Sequence, residues 1–416
     1  MSTHTQATPT VLPAPFDTFQ QRGLQVGGGA LLIGLIIGFF SPASFFPPYL
    51  AMFLYFLGFG LGSLAFLQIH YLVGGSWGFL IRRPLEAAAM TLPVLGLLYL
   101  PILLFGMSTL YPWANLEEAQ ASHIIGLKAG YLNFPFFLVR TLFYFSFWSG
   151  LAFYFRRAGI QQDRSNDPAI TRRAAVIAAP GMLFLFVSVT FAVIDWSMSI
   201  EPEWYSSIYA VMLYVGFGLS SLALAVIVVT LLNQTAPLKD LITPTSLHDV
   251  GNLMLAFTML WAYMSFSQYL IIWSGNLAEE VPWYLRRSVG GWRYVAASLM
   301  VLHFFVPFLY LLVRENKRST IRLSRVAAWI LVVHIINDIW LIVPAFTHRQ
   351  WDKLLCLIPA FLAVGGIWSY AYVRQLASRP LVPLNDPMLA EALAHANSHG
   401  HKNGHASTHA HAGGGH

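Results

Sequence analysis

With 416 residues, the chain has the length of two or three soluble domains of roughly 150 residues each. Only 10% of it is charged while 56% is hydrophobic; ordinary globular proteins carry about 25% charged residues, so a soluble enzyme and a disordered chain are both excluded. The formal charge of +6 invites a nucleic-acid partner, a reading that the placement of the basic residues removes below. The single cysteine, Cys356, rules out a disulfide scaffold, a thiolate-held iron–sulfur cluster and a CxxCH haem attachment in this chain.

Apolar stretches of about 20 residues predict ten transmembrane helices. In chain order they cover 24–41, 49–73, 85–111, 131–155, 174–198, 207–232, 249–273, 291–313, 323–347 and 354–374. Turn chemistry or paired basic residues set their expected limits: Pro47-Pro48, Arg82-Arg83-Pro84, Arg156-Arg157, Asn233 and Arg314. The apolar runs are continuous, without period-2 alternation, which favours helices over a β-barrel. Internal Pro93, Pro101, Pro135, Pro180, Pro307 and Pro359 predict kinks. The first span has no charged n-region and no small-x-small site after it, so it reads as a span and not as a cleaved signal peptide.

Orientation follows from Lys and Arg. Seventeen of the 24 fall at the N-terminus, the even-numbered loops and the C-terminal tail, six at the odd-numbered loops, and Arg140 alone lies inside a span. This bias predicts both termini on the cytoplasmic side of the membrane. The positive charge is therefore topological, and no nucleic-acid partner is expected. Three regions result: a cytoplasmic segment 1–23, a transmembrane domain 24–374 and a polar tail 375–416. The tail holds seven histidines (His395, His399, His401, His405, His409, His411, His416) and reads as a solvated extension without an ordered metal site.

A repeat links the halves. The octad Gly58-Phe59-Gly60-Leu61-Gly62-Ser63-Leu64-Ala65 in span 2 recurs in span 6 as Gly216-Phe217-Gly218-Leu219-Ser220-Ser221-Leu222-Ala223. Four spans separate the copies, so both helices run the same way. The expected fold is all-α and polytopic, with similarly oriented four-helix bundles (spans 2–5 and 6–9) and flanking helices. Small residues at close helix contacts are the alternative source of such strings.

Ionisable groups at membrane depth are costly, and each is a functional candidate. At 1.5 Å per residue, Arg140 falls about 14 Å inside the outer edge of span 4, and Asp195 lies near the same edge on span 5. His303 on span 8 and His334 on span 9 sit near mid-depth, with Asp338 one turn further out. His70, Glu86, His248 and Asp249 mark the cytoplasmic interface, where water is expected to reach them. Together they form a gapped ladder along which protons could pass, histidine being able to take and give one near neutral pH. The competing reading is structural: Arg140 with Asp195 as an ion pair joining spans 4 and 5, and His334 with Asp338 as interhelical glue. A b-type haem between His303 and His334 is a further alternative, although histidines at matching depth elsewhere are missing. No catalytic triad, nucleotide-binding loop or zinc motif is present.

Four stretches carry a family likeness: His70 to Glu86, Asp195 to Tyr209, His248 to Trp283, and Pro380 to Pro387. Through them the chain resembles the ActF membrane subunits of bacterial alternative complex III, a quinol:cytochrome c (or other electron acceptor) oxidoreductase. The resemblance implies a fold of the NrfD-like, quinone-interacting kind. It also implies partners: an NrfD-like sister membrane subunit, an iron–sulfur subunit, c-type cytochrome subunits and small membrane-helix subunits, with a terminal oxidase left open as a neighbour. Haem c and iron–sulfur clusters would then belong to the partners, with no redox cofactor here and a bound quinone left open. The implied role is mainly that of a non-catalytic scaffold, with a proton-conducting half-channel left open and electron transfer carried by the partners. A quinone pocket of its own near the outer face and a secondary transporter are the alternatives; a quinone-sized cavity touching Asp195 or Arg140 is the sign of the former.

Overall fold

A computed structural model describes residues 12–235, 238–346, 351–383, 385, 386 and 389. It is 84% helical without strands among the described residues. Ten helices are long and apolar enough to cross a membrane: Phe16–Phe40, Pro42–Val73, Ser76–Leu110, Phe134–Gln162, Pro168–Ile200, Tyr209–Leu231, Pro244–Gly275, Trp292–Leu312, Thr320–Ala345 and Leu354–Ala377. These are spans 1 to 10. The chain is an all-α polytopic membrane protein. The histidine-rich tail from His395 lies outside the described residues.

Several starts follow from local chemistry. Asn133, Asp167 and Thr243 cap spans 4, 5 and 7, their side chains accepting from the backbone N–H of Phe136, Ala169 and Ser246. Pro135, Pro168 and Pro244 occupy the first helical turn, where a missing N–H costs nothing. Spans 2 and 3 are separated by Gly74 (φ 71°) and Gly75 (φ 100°), a left-handed pair that side chains disfavour. Spans 3 and 8 each contain a π-helical turn, Ile102–Gly106 after Pro101 and Met300–Phe305 ahead of Pro307. Such turns are frequent at functional sites, and the second one carries His303.

Three expected boundaries fall elsewhere. Pro47 and Pro48 lie inside span 2, because the chain already turns at Ser41. Arg82, Arg83 and Pro84 lie inside the helix Ser76–Ala89, buried, because carboxylates neutralise both arginines there. Arg156 and Arg157 lie within span 4, which continues to Gln162.

Span 2 is the axis of the molecule. The apolar window of span 2 is entirely buried and that of span 6 largely so, whereas no more than a third of the windows of spans 1, 4, 7, 8 and 10 is buried, as in lipid-facing helices. The repeated octads explain this centre. A Cβ added at Gly58 would lie 2.6 Å from the Phe217 ring, and one at Gly62 would lie 2.2 Å from the Phe217 carbonyl oxygen. Ser221 Oγ reaches the carbonyl oxygens of Gly58 and Phe59 at 3.1 and 3.2 Å. The two octads thus pack on each other, and glycine lets the backbones approach.

The first residues beyond span 10 are packed and not solvated. Leu381, Val382 and Leu389 are buried, as are Arg379 and Asp386. This segment folds back onto spans 3 and 4, held by charge: Arg82 Nη1 donates to Asp386 Oδ2 at 2.7 Å, and Arg379 donates to Glu86 Oε2 at 2.7 Å and to Asp163 Oδ2 at 2.6 Å.

Candidate functional site

The polar groups at membrane depth gather into two clusters, each bridging the third and fourth helices of one bundle. The first joins spans 4 and 5. Arg140 grips Asp195 with two parallel bonds, Nε to Oδ2 at 2.8 Å and Nη2 to Oδ1 at 2.9 Å. Tyr144 donates to Asp195 Oδ2 at 2.8 Å, and Arg140 Nη1 donates to the Tyr131 carbonyl at 3.0 Å. The rings of Tyr131 and Phe136 lie 3.8 and 4.3 Å from the guanidinium carbon. Both carboxylate oxygens of Asp195 accept from charged or hydroxyl donors, which is what a fully buried carboxylate needs to remain ionised. Chemically this is a closed ion pair that holds two helices together.

The second cluster joins spans 8 and 9 and is built differently. His303 Nε2 and His334 Nδ1 are 3.2 Å apart, so one ring donates to the other. His334 Nε2 faces Asp338 Oδ1 at 3.9 Å, beyond a direct hydrogen bond. Asn337 Nδ2 donates to Asp338 Oδ1 at 3.1 Å. Three polar atoms of the trio are buried without a partner among the described residues: His303 Nδ1, His334 Nε2 and Asp338 Oδ2. Trp261 packs against His303 with ring centroids 4.0 Å apart, and Tyr55 flanks His334 at 6.0 Å. Room for the His334 ring comes from span 6, where a Cβ at Gly216 would lie 2.7 Å from His334 Cε1.

Each imidazole carries its proton on one of two nitrogens, and the shared bond couples the two choices. If His303 Nε2 donates, His334 presents an N–H toward Asp338. If His334 Nδ1 donates, its Nε2 lone pair faces the carboxyl group instead. Reversing the polarity of the trio takes three linked transfers: a proton gained at His303 Nδ1, one passed along the shared bond, and one released from His334 Nε2 toward Asp338. The same geometry disposes of the bis-imidazole haem: nitrogens 3.2 Å apart, on rings tilted by 35°, leave no porphyrin-thick gap between them. Among the described residues no group of three or more His, Cys, Asp or Glu is placed to hold a metal ion.

The inner candidates do not come together as one group. His70 is buried between Trp77 and Phe79, edge-on to both. Glu86, expected where water reaches, is buried instead, bound by Arg82, Arg83 and Arg379 at 2.6 to 3.2 Å. With Asp163 and Asp386 this makes a neutral cluster of three arginines and three carboxylates. Burial opposes the charge of Arg379, and the neighbouring Glu86 and Asp163 outweigh it, lifting its pKa above the ordinary arginine value. His248 and Asp249 lie apart, at the start of span 7, partly exposed and 3.9 Å from each other.

Two stretches rich in aromatic residues, 195–205 and 268–287, meet at the end of the bundle opposite this arginine cluster. Trp204 stacks on Trp283 with centroids 4.9 Å apart. Glu201 accepts from Arg286 at 2.6 Å and pairs with Arg287 at 2.9 Å. Burial lowers the pKa of Arg287, with Glu201 opposing that shift. A groove of about 470 Å³ opens beside them, lined by Glu201, Glu203, Trp204, Glu279 and Trp283 among others, but by neither Asp195 nor Arg140. Sequence reasoning missed Tyr144, Asn337, Trp261, Arg379 and Asp386 as members of these clusters. Only Trp261 and Asp386 stood in quoted motifs.

No protein-family model matches the chain, and no curated protein matches it.

Proposed function

We propose that the chain is a membrane subunit of a quinol-oxidising respiratory complex of the alternative complex III type. In this reading it supplies packing surface and, in its second bundle, a relay for protons. Electron transfer runs through partners: an iron–sulfur subunit, c-type cytochromes and an NrfD-like sister subunit, with small membrane helices alongside. The arginine-rich end of the bundle faces the cytoplasm, because Lys and Arg concentrate there.

The observation that carries the relay is the trio of His303, His334 and Asp338. Buried polar groups in a membrane helix bundle are costly when unpartnered, at about 1–3 kcal/mol each. Three such atoms lie along one line of groups here, an expense that simple helix glue avoids, as Arg140 and Asp195 demonstrate by having every charged atom engaged. The test uses the assembled complex in liposomes. His334→Ala and Asp338→Asn are expected to lower protons translocated per electron while assembly and quinol oxidation persist. Unchanged stoichiometry in both variants removes the relay and leaves a scaffold.

A further inference from the structure

The arginine-rich end of spans 7 to 9 holds a charge that no carboxylate among the described residues pairs. Lys317, between spans 8 and 9, is only 5% exposed. Its aliphatic stem lies against Gly251 of span 7, where a Cβ would come within 2.7 Å of Lys317 Cγ. Its ammonium donates to Asn252 Oδ1 at 2.7 Å, and Asn252 Nδ2 in turn meets His248 Nδ1 at 3.3 Å. An amide oxygen satisfies one of three N–H groups and none of the charge. No carboxylate lies within ion-pair distance of Lys317 among the described residues, although other buried cations, such as Arg82, Arg83, Arg140 and Arg287, each have one.

More cations surround it. Arg314 and Arg318 flank Lys317 in the same turn, and their charges bear on the His248 ring together with that of Lys317. Arg318 Nε is buried with no acceptor. The nearby acids are few: Asp249 sits 3.9 Å from His248, and Glu315, 82% exposed, reaches Arg322 only at 4.0 Å. The cluster therefore offers several N–H donors and an excess of positive charge around one partly desolvated ammonium. Apolar side chains exposed beside it, Leu309, Leu312, Val313 and Ile321, face outward from spans 8 and 9.

We propose that the cluster of His248, Asn252, Arg314, Lys317 and Arg318 binds the phosphate of an anionic phospholipid headgroup. A phosphodiester carries one full negative charge and unhindered acceptor oxygens, matching the ammonium and guanidinium donors. Basic pockets between membrane helices take such headgroups, and the apolar side chains alongside give the acyl chains a surface. A free phosphate ion shares the charge but would leave that apolar surface unused.

The test measures lipid adducts on the full chain in detergent by native mass spectrometry, adding phosphatidylglycerol or phosphatidylcholine. One persistent adduct is expected with phosphatidylglycerol and none of comparable strength with phosphatidylcholine. Lys317→Met and the double variant Arg314→Gln/Arg318→Gln should each weaken it about tenfold or more, the loss of one to two charge-assisted hydrogen bonds. Arg172→Gln/Arg173→Gln removes the same charge from an exposed pair elsewhere at this end of the bundle and should leave the adduct intact. Should Lys317→Met fail to fold, Arg314→Gln/Arg318→Gln gives the reading alone. Equal weakening in the Arg172/Arg173 variant, or equal binding of both lipids, overturns the site in favour of general surface charge. Thermal stabilisation by millimolar inorganic phosphate that matches the lipid's overturns the lipid assignment.

Discussion

Replacing Arg140 by methionine removes the guanidinium and keeps most of the side-chain length that crosses between spans 4 and 5. Asp195, 0% exposed, then retains only Tyr144 as a side-chain donor at 2.8 Å. Breaking a buried ion pair from one side costs about 3–5 kcal/mol, because the remaining charge is stranded. An ordinary interhelical hydrogen bond in a membrane protein is worth about 0.6 kcal/mol. The two readings of this contact therefore differ severalfold in magnitude, which an unfolding titration in mixed micelles resolves. The single variant Arg140→Met should lose about 3–5 kcal/mol. The double variant Arg140→Met/Asp195→Asn should regain at least half, since no charge is left behind and Tyr144 can still donate to the amide oxygen. A double variant as unstable as the single one would refute the argument, showing that packing around Tyr131 and Phe136 carries the contact and the charges do not.

Two further outcomes follow from the packing. Gly216→Ala should displace His334, since the new methyl would lie 2.7 Å from its Cε1; a cost of about 1–3 kcal/mol and reduced proton translocation are expected, whereas Gly150→Ala, which meets nothing within 4 Å, should be neutral or mildly stabilising. Asp386→Asn loosens the segment beyond span 10 by weakening its 2.7 Å tie to Arg82. Amide hydrogen exchange at Leu381 and Val382 should accelerate roughly tenfold to a hundredfold, as expected for losing about 1.5–3 kcal/mol at a charged hydrogen bond; unchanged exchange there shows that the buried leucines hold the segment unaided.

The ten spans were legible because lipid imposes a one-dimensional rule: each crossing must be a long apolar helix, and the residues show this without reference to neighbours. Their limits were less legible where charge is buried. Arg82 and Arg83 read locally as a boundary because isolated arginines belong in water, yet their partners, Asp163 and Asp386, are 80 and 304 residues away. Glu86 was misplaced for the same reason, since its third arginine, Arg379, follows the last span. The octads were readable as a repeat, but not as surfaces that touch; contact between Gly62 and Phe217 is a property of how two helices cross. Depth along a helix brought Arg140 near Asp195 and His334 near Asp338, because 1.5 Å per residue fixes height. It could not supply azimuth, so Tyr144, Trp261 and Asn337 went unnoticed.

Height and azimuth together expose a contrast between the halves. If spans 4 and 5 correspond to spans 8 and 9, as the four spans between the octads suggest, the two polar clusters lie on corresponding helices of their bundles. The first half puts Arg140 opposite Asp195, which directly precedes Trp196; the second puts His303 opposite His334, which lies one turn before Asp338 on the same helix. Arginine keeps its proton at any physiological pH and fixes its partner's charge, so that cluster has one protonation state. Histidine does not, and the second cluster has several. If the relay proposed above operates, a single scaffold yields a permanent fastening in one bundle and a proton-exchanging contact in the other, and the difference resides in the residue on the third helix. On this argument Arg140→His would not transfer the relay to the first bundle: Tyr144 and the Tyr131 carbonyl already surround Asp195, and that half lacks a second imidazole in line to receive the proton.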